Sequence, residues 1–296
     1  MKREMAELFV EDGQIVGLSG LDLVAREQDR TYLQWLLSQS LDTINRQALG
    51  QGLGPPYLTQ IEISTALGPN IWGRWDRRTH HLVLRINEDG SLPVSLSFTV
   101  AHEICHVFTE AISISQSFVD LANFTELIAN EFVCQKFATA ALDLFLLNGQ
   151  EQTAIIEESL NGLYVIQARS FAALEDGLTA YRQQGLTLAP FMVEKGSPAE
   201  EEGAIYLMSL AHTYLCDLSR SLGICAQTGD LGTVARPPTR ALSSLLRKYV
   251  AAVLREQPLG SPLPSVEEYT AFVENLTEPV FSFIYDMIVK LYGQAK

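Results

Sequence analysis

The sequence predicts an α+β fold, in which a small antiparallel sheet packs on helices in the first half and an all-helical region comes after it. Short segments with strand-like alternation occur before residue 88, apolar residues recur at helical spacing from residue 93, and residues after 148 have only helical patterns. At 296 residues the chain is long enough for one large domain or two ordinary ones, and its 47% of hydrophobic residues allows a full core. We expect these domains at 1–148 and 149–296.

The first predicted elements are two strands and a helix. Residues 8–10 and 14–18 are strand candidates joined by a turn at Asp12–Gly13. Residues 28–48 have the apolar spacing of a helix, and the glycine- and proline-rich run Gly50–Pro56 separates this helix from the next predicted strand.

Three more strand candidates complete the predicted antiparallel sheet: Gln60–Ser64, Ile71–Trp75 and His80–Asn87. Trp72 and Trp75 are open to two interpretations, of which burial is more common than contact with a substrate. His80 and His81 are adjacent, so on a strand they point to opposite faces and cannot readily bind one ion together.

Two helices predicted after the sheet carry the most informative residues. The first begins near Ser95 or Ser97, either of which can cap it. Four apolar residues at helical spacing are expected to face a core: Leu96, Val100, Ile104 and Val107. The second helix covers about residues 122–147.

The first of these helices contains His-Glu-Ile-Cys-His at residues 102–106, and Glu126 comes twenty residues later. Residues four apart share a helix face, so His102 and His106 can offer two imidazole nitrogens to one ion. Glu103 lies about 100° around the helix from His102, where it can take a proton from a metal-bound water. Two histidines and a glutamate form a standard three-ligand set for catalytic zinc.

Asn130 lies one turn after Glu126, where it can form a hydrogen bond with a ligand histidine. The alternative for the whole set is two core or surface histidines and a solvated glutamate, but the joint spacing favours a metal site.

Three stretches carry a resemblance to a known family: His81–Asn87, Phe98–His106 and Glu126–Phe132. Their spacing resembles that of the gluzincin zinc peptidases and, more closely, of the ImmA/IrrE family of bacterial metallo-endopeptidases. The resemblance covers about residues 60–147. It implies a minigluzincin-like fold with a sheet edge that binds an extended peptide by strand addition. It also implies a functional set: zinc ligands His102, His106 and Glu126, and the general base Glu103.

Some residues differ from the pattern of that family. Cys105 stands where glycine is common, residues 138–150 contain no proline, and Asn130 stands where many gluzincins have aspartate. An asparagine can still accept an imidazole N–H, but it carries no charge that would raise the basicity of the ligand. Cys105 and Cys134 are open to a redox or sulfur-ligand role, although small buried apolar residues are the more common case.

The second half is predicted to consist of helices. Helices are expected at residues 150–184, with a possible break at Asn161–Gly162, and at 204–222, 239–256 and 265–292. Residues 194–203 are expected to form a polar loop, and Ser265–Glu268 to form a capping box. Tyr164, His212 and Tyr214 are candidates for stabilising an oxyanion, although each is more often a packing residue.

Composition limits the partners of the chain. A net charge of −14 and a pI near 4.8 argue against the basic surface that nucleic-acid binding needs. No apolar run is long enough to span a bilayer, and the N-terminus is not a secretory signal. The four cysteines lack a framework spacing, which favours a reducing cytoplasm.

The resemblance therefore implies a cytoplasmic zinc-dependent endopeptidase that cleaves a protein or peptide substrate, such as one regulator. One alternative is a non-catalytic sensor or protein-interaction module with a peptidase-like fold, and another is a zinc hydrolase that acts on a non-peptide amide. A His/His/Glu site also accepts other divalent ions, such as manganese. The identity of the substrate, the activating signal and the oligomeric state are left open.

Overall fold

The computed structural model describes residues 2–11, 14–53, 58, 60–65, 73–76, 79–113, 121–145, 147–192, 196–229, 239–258 and 263–294. The chain divides into two compact units, each built from separate segments. Unit 1 comprises residues 1–113, 133–162 and 260–267, and unit 2 comprises residues 114–132, 163–259 and 268–296. The division into independently folding domains at 1–148 and 149–296 stays a prediction.

Within the described residues, unit 1 contains a five-stranded sheet of order β2-β1-β3-β5-β4. The strands are β1 (Arg3–Glu11), β2 (Gln14–Ser19), β3 (Gln60–Ser64), β4 (Gly73–Asp76) and β5 (His81–Arg85). The pairs β1–β2, β1–β3 and β4–β5 are antiparallel, whereas β3 and β5 are parallel. The fold is therefore α+β with a mixed sheet, and the prediction of a purely antiparallel sheet was wrong. The predicted turn at 12–13 and residues 71–72 lie outside the described residues.

The central position of β5 in the sheet agrees with its burial. Leu82, Val83 and Leu84 are all buried, as expected for a strand that is covered on both faces. In contrast, none of the four residues of β4 is buried. A position between β3 and β4 buries the apolar run of β5, so the more polar β4 is left as an outer strand.

The helices of unit 1 pack beside this sheet. Helix α1 (Glu27–Gly50), predicted at 28–48, contacts helix α2 (Leu96–Ala111), which also contacts β4 and β5. Ser95 stands at the N-cap position of α2, but its side chain makes no capping hydrogen bond, and Ser97 is buried inside the helix. The predicted side-chain cap is therefore wrong at both serines.

Helix α3 (Leu121–Ala141) belongs to both units, since its residues up to Phe132 lie in unit 2 and those from Val133 lie in unit 1. It is shorter than predicted, because residues Leu142–Phe145 form a 3₁₀ turn. The remaining helices are α4 (Gly149–Gln183), α5 (Pro198–Thr228), α6 (Ser243–Glu256) and α7 (Val266–Gln294). Among the described residues, no helix is both long and apolar enough to cross a membrane.

Two predictions in the helical half were wrong. Helix α4 runs through Asn161–Gly162 without a break, since an exposed glycine weakens a helix without ending it.

The predicted polar loop at 194–203 is wrong for residues 198–203, because α5 already begins at Pro198. There the Ser197 side chain accepts from the Glu200 N–H and the Glu200 carboxylate accepts from the Ser197 N–H, which forms a capping box.

Candidate metal centre

His102 and His106 lie on one face of α2, as their spacing predicts. His102 is buried and His106 is half-buried. Their Nε2 atoms are 3.2 Å apart, and their rings are nearly perpendicular. Two nitrogens bound to one tetrahedral zinc at ordinary bond lengths are about 3.3 Å apart. The pair therefore fits a shared metal ion, and the same distance also permits a hydrogen bond between two neutral rings.

Glu103 is held by the outer strand β4. Its Oε2 atom accepts the backbone N–H of Trp75 at 2.8 Å, and the Trp75 indole N–H donates to Glu110 at 2.8 Å. A Cβ added at Gly73 would lie 2.7 Å from the Glu103 Cγ atom. The strand thus fixes one carboxylate oxygen and fits closely against the side chain, which leaves little freedom in its direction. Trp75 was considered in the sequence only as a buried or substrate-contacting ring.

The second ring nitrogen of His106 faces a cysteine. The His106 Nδ1 atom lies 3.4 Å from Cys134 Sγ, and burial together with Cys105 raises the pKa of the Cys134 thiol well above its usual value. A ligand histidine usually forms a bond through the ring nitrogen that does not face the metal. Cys134 is therefore placed to orient the His106 ring. This is a third interpretation of Cys134, beside the redox and packing roles.

Glu126 and Asn130 are buried on α3, together with a tyrosine from α7. Glu126 and Tyr269 are inaccessible to solvent, and Asn130 is 5% exposed. The Tyr269 hydroxyl donates to Asn130 Oδ1 and lies 3.4 Å from Glu126 Oε1. Glu126 is thus not a solvated surface residue, as the alternative without a metal would require. Tyr269 was missed in the sequence because it is 139 residues from Asn130 and has no local pattern.

A further acid on α3, Glu131, forms a bidentate pair with Arg220 of α5. The two hydrogen bonds measure 2.7 and 2.8 Å, and Asp217 lies 3.6 Å from the same guanidinium. Such a fork-shaped pair orients a carboxylate strongly. It leaves further lone pairs on the Glu131 oxygens, which can accept another partner.

Among the described residues, His102, His106 and Glu131 form a cluster that can hold a metal ion, with one ligand atom of each within 4.8 Å of the others. Two imidazoles and a carboxylate suit a divalent ion, but they do not fix its identity. The sequence did not single out Glu131, since it lies outside the recognised spacing. Glu126 is not in this cluster, and its assignment as the third ligand stays a prediction.

The three oxyanion candidates lie in unit 2, and two of them, His212 and Tyr214, have defined contacts there. The His212 Nε2 lies 2.9 Å from the Phe124 carbonyl, and burial lowers the pKa of His212. The ring of Tyr214 packs edge-on against Phe171, and its hydroxyl pKa is raised by burial. The buried Tyr164 hydroxyl has no hydrogen-bond partner among the described residues. Their role in catalysis stays untested.

Comparisons of this chain with protein-family models, with curated proteins and with solved structures found no match. The resemblance to the ImmA/IrrE peptidases therefore rests on the motif residues alone, and the chemistry of the site must be argued from its own side chains.

Proposed function

We propose that the protein is a zinc-dependent endopeptidase that cleaves a specific intracellular protein, such as a regulator. The observation that carries this proposal is the His102–His106 pair, whose Nε2 atoms have the separation expected for two ligands of one zinc ion. The adjacent Glu103 supports it, since strand β4 holds this carboxylate by a backbone hydrogen bond.

The residues around α2 suit hydrolysis of an amide. A bound divalent ion would acidify a water molecule and polarise the scissile carbonyl. Glu103 has one oxygen fixed by the Trp75 N–H, so its other oxygen can take a proton from the attacking water and pass it to the leaving amine. His102 and His106 offer their Nε2 atoms as ligands, and Cys134 restrains the ring of His106 through Nδ1.

The position of β4 favours an extended peptide as substrate. This outer strand lies directly against Glu103, and outer strands bind peptides by strand addition. A peptide paired with β4 would therefore carry its backbone past the proposed base. Because the Trp75 N–H is already used by Glu103, the peptide would pair through other backbone groups of the strand.

The third ligand is proposed to be Glu126, on the spacing of the motif, with Glu131 as the competing assignment. The Glu131 carboxylate is already compensated by the Arg220 guanidinium, which weakens its attraction for a cation. Glu126 is fully buried, where a carboxylate is retained only with hydrogen bonds or a nearby cation.

Metal content measured by mass spectrometry tests this proposal. We expect about one zinc per chain in the native protein and its loss in the variants His102→Ala and Glu126→Ala. The variant Glu131→Ala is expected to keep zinc. Zinc that is retained in Glu126→Ala and lost in Glu131→Ala would identify Glu131 as the third ligand. Absence of metal in the native protein after zinc is supplied would overturn the peptidase proposal.

The variant Glu103→Gln tests catalysis separately from metal binding. We expect it to keep zinc and to lose cleavage of a fluorogenic peptide library, since an amide cannot accept the proton. Glu110→Gln is a matched control, because Glu110 lies on the same helix and contacts the indole of Trp75 instead. Equal cleavage by native protein and Glu103→Gln would contradict the assignment of the base.

A non-catalytic sensor or interaction module is the second candidate. The observation that favours it is the Glu131–Arg220 pair, which satisfies an acid of the metal cluster without an ion. This candidate predicts that Glu103→Gln leaves the cellular activity of the protein unchanged.

A further inference from the structure

We infer that Tyr269 of helix α7 is a positioning residue for Glu126, and that α7 is therefore part of the support of the proposed metal centre. This inference rests on the proposed function and deepens it. Glu126, Asn130 and Tyr269 all belong to unit 2, and none of the three is more than 5% exposed.

The contact joins one donor to two acceptors. The Tyr269 hydroxyl donates to Asn130 Oδ1 and lies 3.4 Å from Glu126 Oε1. Asn130 lies one turn after Glu126, so the hydroxyl spans one turn of α3. Partners of this kind fix the plane of a ligand carboxylate, and their removal commonly costs about 10- to 100-fold in metal affinity.

A second contact keeps α7 in place beside this turn. Phe272, three residues after Tyr269 on α7, packs on Phe132 of α3 with ring centroids 5.3 Å apart. Both of these phenylalanines are almost completely buried. The Tyr269 ring therefore lies on a tightly packed part of α7, which suits a residue that orients the Glu126 side chain.

The test compares two variants of the full chain: Tyr269→Phe and Tyr249→Phe. Tyr249 is a matched control, since it is also buried in unit 2 and its hydroxyl contacts Ser219 at 3.5 Å. Zinc affinity is measured by competition with a chromophoric chelator, ligand geometry by the visible absorption of bound Co²⁺, and stability by thermal unfolding.

We expect Tyr269→Phe to weaken zinc binding by about 10-fold or more and to change the Co²⁺ spectrum. Tyr249→Phe should keep native zinc affinity and spectrum, because its hydroxyl contacts Ser219 and no acid of α3. If the native protein binds zinc and Tyr269→Phe binds it equally well with the same spectrum, the inference falls and the proposed function stands. If the native protein binds neither zinc nor Co²⁺, the result overturns the proposed function and also the inference that rests on it.

Discussion

Glu103 depends on a glycine in the neighbouring strand. A methyl group at Gly73 would meet the Glu103 Cγ atom at 2.7 Å and the Thr99 Cγ2 atom at 2.6 Å, so either β4 or these side chains would have to shift and the fit between β4 and Glu103 would change. Gly73→Ala should therefore lower kcat strongly, since a small misplacement of a catalytic group can cost about 100-fold. Zinc content should be unchanged, because the histidines are not displaced directly.

Steady-state kinetics and metal analysis of Gly73→Ala check this prediction. Gly162→Ala is the control, since this glycine is exposed in a helix and a methyl group there would meet no atom within 4 Å. Native kcat in Gly73→Ala would show that Glu103 is not constrained by β4 in the way the contacts indicate.

At the site, local spacing predicted best the residues that share one helix. His102, Glu103 and His106 share one helix, so their geometry follows from helical spacing. Trp75 and Tyr269 reach α2 and α3 from elements that are distant in sequence, and their roles depend on how the chain packs. A single sequence contains no periodic signal for such contacts.

At the scale of elements, the capping box at the start of α5 contains a carboxyl group, Glu200, whose pKa is lowered. Hydrogen bonds from the Thr187 side chain, from the Ser197 and Thr187 backbone N–H groups and from the Ser197 side chain lower the pKa of Glu200 from 4.5 to about 2. A folded-state pKa below the unfolded value stabilises the fold above the unfolded pKa. This contribution is present above about pH 4.5 and is lost as the pH falls toward 2.

Thermal unfolding of native protein and Glu200→Gln between about pH 7 and pH 2 tests this contribution. The variant should unfold at a lower temperature near neutral pH, and the difference should shrink as the pH falls below 4.5. Glu201→Gln is the control, because Glu201 is an exposed acid in the same first turn of α5. A difference between native and Glu200→Gln that is constant over the whole range would contradict a titrating cap.

Most elements could be predicted from local pattern, but their pairing could not. The apolar spacing of 28–48 and the alternation of 60–64 match α1 and β3 closely. The central position of β5 and its parallel alignment with β3 depend on how the strands assemble into a sheet, which a local pattern does not contain. The start of α5 was missed because Glu200–Glu202 was interpreted as a solvated loop, although Ser197 and Glu200 have capping-box spacing.

At the scale of the whole molecule, the acids of α3 depend on helices that lie far along the chain. Within unit 2, Arg220 pairs with Glu131, and Tyr269 contacts Glu126. Phe124 of α3 also packs on His212 and Phe281. The helical second half therefore contributes directly to the part of α3 that carries the candidate ligands.

A fragment of residues 1–148 should for this reason fail to bind zinc. It would lose the partners of both acids, and it would expose the buried side of α3, which includes Phe132. We expect a poorly folded, aggregation-prone chain without bound metal, as measured by circular dichroism, size-exclusion chromatography and mass spectrometry. Co-expression of residues 149–296 is the control, since restored metal content would show that the loss comes from the missing helices.

The opposite result would assign the second half a different role. A fragment 1–148 that folds, binds one zinc per chain and cleaves peptides would make residues 149–296 a separate domain, free to act as a regulatory cap. The contacts of Tyr269 and Arg220 with α3 argue against this, because a removable cap would not supply the hydrogen bonds of the buried Glu126 and the half-buried Glu131. Under the proposed function, a signal that moved α7 would therefore change metal affinity through Glu126.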